Sequence, residues 1–146
     1  MNLLNKVALL GVIAMGVSSC EINNTDDSFR NSDEKLCSGF WERRYVTDDD
    51  EFCTQQLEFR AVSTGRTGTE IFEYRRKSRN GNWEDVPYRT ASYSFYWKWA
   101  NNDHEGIIID HPMDGALYFD NVWVRLNYLS GNLEGEEVTF YKKIIL

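Results

Sequence analysis

From residue 39 onward, apolar and polar residues alternate with the period of two that a half-buried β-strand requires. The clearest run is Tyr93-Ser94-Phe95-Tyr96-Trp97-Lys98-Trp99, which puts Tyr93, Phe95, Trp97 and Trp99 on one face. Trp41-Glu42-Arg43-Arg44-Tyr45, Leu57-Glu58-Phe59-Arg60-Ala61 and Val122-Trp123-Val124-Arg125-Leu126-Asn127-Tyr128 repeat the pattern. Turn-forming clusters separate the runs: Asp48-Asp49-Asp50, Gly65-Arg66-Thr67-Gly68, Asn80-Gly81-Asn82, Asn101-Asn102-Asp103, Met113-Asp114-Gly115 and Gly131-Asn132. No window carries a 3.6-residue apolar stripe, so no long helix is expected. The spacing predicts short strands over roughly 39–46, 54–62, 69–77, 83–88, 91–99, 105–111, 116–128 and 136–144.

The fold class that follows is all-β, an antiparallel up-and-down meander. Curling such a sheet into a small eight-stranded barrel buries its apolar face and removes its edges. A two-sheet β-sandwich is the runner-up. An eight-stranded barrel is either filled by side chains or left with room for one small ligand.

The first twenty residues differ in kind. Lys6 precedes the apolar run Val7 to Val17. That run is too short for a spanning helix, which needs ~20 apolar residues, but it suits the core of a signal peptide. It ends in Val17-Ser18-Ser19-Cys20, which resembles the bacterial lipobox. The resemblance implies a leader over 1–19 and acylation of Cys20, with the membrane as a partner through the lipid anchor. Glu21, rather than an aspartate, follows the cysteine, so the expected address is the bacterial cell envelope, at the outer membrane. Residues 20–35 are acidic and aperiodic, which predicts a disordered tether. The folded domain is then expected over 36–146.

Composition narrows the picture further. A chain of 146 residues allows one domain. The net charge of −7 speaks against a nucleic-acid partner, which would need a basic footprint. An aromatic content of 14% excludes a wholly disordered chain. Beyond Cys20 the remaining cysteines are Cys37 and Cys53, an even pair in an exported protein and a candidate disulfide. Bridging them would close about 15 residues and add ~3 kcal/mol. A hairpin of the first two strands places Cys37 near Ala61 instead, so a bridge requires the preceding segment to fold back.

Two histidines, His104 and His111, flank the predicted strand 105–111. On a straight strand they would lie ~20 Å apart, so both are expected to be solvated turn residues and no metal site is expected. Asp48-Asp49-Asp50-Glu51 lacks the glycine spacing of a calcium loop and is expected to be an acidic turn. There is no nucleophile elbow, no phosphate loop and no cysteine–histidine motif. The expectation is a non-enzyme without cofactors.

Gly39-Phe40-Trp41, at the start of the first strand, resembles the Gly-x-Trp signature of the lipocalin superfamily, whose Trp closes one end of the barrel. The hairpin Leu57-Glu58-Phe59 to Gly68, the strand Phe95-Tyr96-Trp97 and the closing Thr139-Phe140-Tyr141-Lys142 are similar to the short lipocalin-like domains of bacterial lipoproteins. The chain departs from the family in lacking the Thr-Asp-Tyr element and in ending on Ile144-Ile145-Leu146 directly after the last strand. Those departures imply shorter strands and a smaller cavity. The resemblance also implies binding of a small hydrophobic or amphipathic ligand. The parity of Trp41 puts Arg43 and Tyr45 inside, and Leu57, Trp97, Trp99, Ile107, Leu126 and Tyr128 are expected to join them at the open end. An inward Arg43 must meet an acidic side chain or an anionic ligand group. The alternative function is a solid barrel that binds a protein or glycan through outward aromatics such as Phe40, Tyr96 and Trp123.

Overall fold

A computed structural model describes residues 30–144. The leader, Cys20 and most of the expected tether lie outside the described residues. The alternating segments form eight strands: β1 (Phe40–Val46), β2 (Phe52–Val62), β3 (Gly65–Arg75), β4 (Arg89–Trp99), β5 (Ile107–His111), β6 (Gly115–Val124), β7 (Tyr128–Leu133) and β8 (Glu136–Lys143). Each pairs antiparallel with the next, and β1 pairs with β8 to close the barrel. This is the expected fold class, a barrel and not a sandwich, and it is consistent with a lipocalin-like architecture.

Two expected strands differ from those observed, and the differences cancel in the count. Residues 83–88 are not a strand but part of the β3–β4 connection, joined to its own start by a single bridge between Lys77 and Trp83. Pro87 cannot donate to a ladder, and Trp83 packs at a tilt against Phe52 with ring centroids 5.6 Å apart. Conversely, 116–128 is not one strand. The chain reverses at Arg125, whose amide donates to Tyr128 O at 2.8 Å, and β7 begins there. The turn expected at Gly131-Asn132 lies at Glu134-Gly135, where both residues have positive φ (51° and 85°), as a two-residue hairpin requires.

Gly131 sits instead within β7, because a side chain there would strike the Phe119 ring. Gly68 does the same for Phe95. Both glycines give their space to a buried phenylalanine.

The lower end of the barrel is closed by the N-terminal segment. Residues 31–35, expected to be tether, are part of the fold. Asn31 is buried; its Nδ2 donates to His104 O and Val122 O, and its Oδ1 accepts from Val124 N at 2.9 Å. A single turn of helix, α1 (Asp33–Leu36), is capped by Ser32, whose Oγ accepts from Lys35 N. Leu36 is fully buried beneath the barrel, and Trp41 Nε1 donates to its carbonyl at 2.8 Å. Above this plug lies a solid core of Trp41, Leu57, Phe59, Trp97, Ile107, Val124 and Phe140. Trp41 is fully buried directly above this plug.

The β1–β8 closure is short. It holds three residue pairs, Phe40–Lys143, Trp41–Lys142 and Glu42–Tyr141. Above Glu42 the two strands separate.

Candidate functional site

Inward parity along β1 to β5 brings a different set of residues to each end of the barrel. Four of the expected ligand-facing residues, Leu57, Trp97, Trp99 and Ile107, belong to the filled lower core rather than the open end. Trp97 packs edge-on against Phe59 and donates to two backbone carbonyls. Trp99 Nε1 donates to Asp33, and its ring stacks on His104 at 4.6 Å. Leu126 is 79% exposed, in the β6–β7 turn, and Tyr128 opens β7 on the outward parity. Both were expected inside on the assumption of one continuous strand, and the reversal at Arg125 places them outside. Arg43 and Tyr45 alone of the set lie in the upper interior.

There the floor is polar. Arg43 Nε donates to Gln55 Oε1 at 2.6 Å, and Gln55 Nε2 donates to Glu70 Oε2 at 2.6 Å. Glu70 Oε1 meets His111 Nε2 at 2.9 Å. His111 Nδ1 accepts from Met113 N at 3.2 Å, so the proton sits on Nε2 and is donated to Glu70. Gln55, Glu70 and His111 are all buried. His111 is thus no solvated turn residue but one end of a hydrogen-bonded chain that runs from β1 to β5. His104 is also not a free turn residue, since Nδ1 contacts Asn31 O as the ring covers Trp99.

Around this floor stand Tyr45, Phe72, Tyr74 and Tyr93, all inward and half-buried. Phe72 lies 6.1 Å from Tyr74 and 6.3 Å from Tyr93, and Tyr93 lies 4.9 Å from the His111 ring. Burial raises the phenol of Tyr45 well above its ordinary range, helped by its hydrogen bond to Cys53. Burial likewise raises Tyr74 and the Cys53 thiol. These groups are neutral, so the wall is apolar with hydroxyl tips. Arg43 lies over the Tyr45 ring at 4.5 Å, and its Nη1 is 3.8 Å from Glu136. The guanidinium also lies 5.3 Å from the Phe140 ring centroid.

The parted strands above Glu42 leave a groove of about 370 Å³ at the seam, lined by Glu42, Arg43, Arg44, Thr139, Tyr141, Lys142 and Lys143. Arg43 therefore faces the interior and the groove at once.

Cys37 and Cys53 are both free thiols. Cys53 pairs with Tyr45 and Tyr74 in the upper strands, and Cys37 sits at the lower end beside Ala61. Eight positions of β2 separate those levels, about 26 Å, which rules out the candidate disulfide. Among the described residues no group of histidine, cysteine and acidic side chains gathers as a metal site.

Sequence reasoning missed Gln55, Glu70 and His111. The available signal was parity: Glu70 alternates with Phe72 and Tyr74, which places an acid on an apolar face. Comparison with protein-family models, with curated proteins and with solved structures finds no match to this chain.

Proposed function

We propose that the chain is a lipid-anchored envelope protein whose lipocalin-like barrel holds one small amphipathic ligand in its upper bowl, without catalytic chemistry. The observation that carries this reading is the division of the interior. Its lower part is packed solid, whereas its upper part keeps four half-buried aromatic rings around a polar floor. Concave aromatic walls with few convergent polar groups are the usual makeup of a ligand site. Arg43 supplies the orienting charge, and the rings of Tyr45, Phe72 and Tyr93 the apolar contact. Among the described residues, His111 and Glu70 bind each other, and burial raises the thiols of Cys37 and Cys53.

Native mass spectrometry of the purified full chain, followed by tryptophan and tyrosine fluorescence titration with medium-chain fatty acids, tests the reading. A bound mass and a saturable titration that Arg43→Gln weakens by about tenfold are expected, the size of a lost charge-assisted contact. No bound mass and no saturation would sink it.

A second reading, interaction through the outer wall, draws support from the exposure of Trp123 and Tyr141.

A further inference from the structure

We propose that the lower flank of the barrel, where β6, β7 and β8 meet, is a docking surface for an anionic lipid bilayer. The proposal goes beyond ligand binding and rests on the anchored reading only for the proximity of that bilayer.

Outward parity sets three aromatic residues side by side. Trp123 on β6 is in register with Ser130, two positions from Tyr128 on β7, and Tyr128 pairs directly with Tyr141 on β8. Trp123 is 48% exposed and Tyr141 63%, and the turn beside them presents Leu126. The bulge after Asp120 is what turns Trp123 outward, since it leaves Phe119, Val122 and Val124 facing the core. Indole and phenol rings with an apolar body and a polar tip settle at the depth of lipid headgroups.

Cations border these rings. The Arg125 guanidinium lies 4.6 Å over the Trp123 ring, and Lys143 approaches Glu42 at 3.6 Å. The seam groove opens beside Tyr141, with Arg44, Lys142 and Lys143 around the single carboxylate of Glu42. In a chain of net −7 this is a local excess of positive charge. A groove so lined suits the phosphate of a headgroup, and basic residues next to aromatic ones match the negative surface of an anionic leaflet.

The path of the chain favours the bilayer over other occupants. Asn31 is bonded to Val122 and Val124, the residues on either side of Trp123. With His104 as the other partner of Asn31, the polypeptide enters the barrel at the β6 edge of this flank. From Cys20 to Asn31 it reaches at most about 40 Å, which keeps the flank close to an anchoring membrane.

The test uses the full chain in phosphatidylcholine vesicles, with or without phosphatidylglycerol, carrying a lipid spin-labelled near its headgroup. Tryptophan emission is expected to be quenched when phosphatidylglycerol is present. Trp123→Phe removes most of that quenching, because Trp41, Trp97 and Trp99 are buried and Trp83 is at the opposite rim. Arg125→Glu with Lys143→Glu reduces it several-fold, with near-ultraviolet circular dichroism unchanged. Quenching that survives Trp123→Phe would overturn the proposal. So would a detergent-solubilised dimer dissociated by Trp123→Ala, since a second copy would then own the surface. Intact mass reports acylation and the fatty-acid titration reports the bowl, so failure of either earlier reading shows separately.

Discussion

Glu70 is the residue on which the upper interior turns. Its two carboxyl oxygens accept from Gln55 and His111, so it satisfies two buried donors at once. Glu70→Ala orphans both, and a broken buried polar network costs about 3 kcal/mol; urea unfolding should show that loss, whereas an unshifted midpoint would mean water replaces the carboxyl group. None of this was legible in His111, because its partner is 41 positions away and alternation reports a face, not a partner. Thiol reactivity is a second residue-scale expectation. Burial, then the nearby Asp33, push the Cys37 thiol up to about 11. Maleimide labelling at neutral pH should therefore be slow at Cys37 and absent at fully buried Cys53 until denaturant is added.

Among the elements, β7 shows how a strand can hide from pattern reading. It contains Ser130, Gly131 and Asn132, residues that usually mark turns, and holds its place because Phe119 needs the room over Gly131. The signal for a turn was real, but a packing constraint from β6 overrode it. Gly131→Ala should destabilise by about 1–3 kcal/mol through overpacking. Phe119→Leu should restore part of that loss, since one of the two clashes is with that ring and the other with backbone. Strands with strong alternation and aromatic content, β1, β2 and β4, fall close to their expected bounds. The lower plug was illegible for another reason. Asn31 resembles any tether residue until its three partners, from two distant segments, are in place. Asn31→Ala removes those bonds and should cost about 2 kcal/mol or more, read as a lower thermal midpoint.

For the whole molecule, the buried thiols and phenols set the alkaline limit. Cys37, Cys53, Tyr45 and Tyr74 all hold their protons more tightly in the fold than ordinary groups do. The unfolded chain releases its thiol protons near 9, while native Cys37 waits until about 11. Stability from this source is therefore complete below pH 9 and is lost as pH rises from 9 to 11. The urea midpoint should fall across that interval, and Cys37→Ser should flatten the early part of the fall. A midpoint constant to pH 11 would contradict the assignment.

The three bonds of Asn31 have a mechanical consequence as well. Any pull on the N-terminal segment meets His104, Val122 and Val124 before it meets a strand pair. These contacts share the load, so they must break together rather than one after another. The barrel should then yield to a force applied through its N-terminus only when that cluster ruptures, and Asn31→Ala should lower the rupture force in single-molecule pulling.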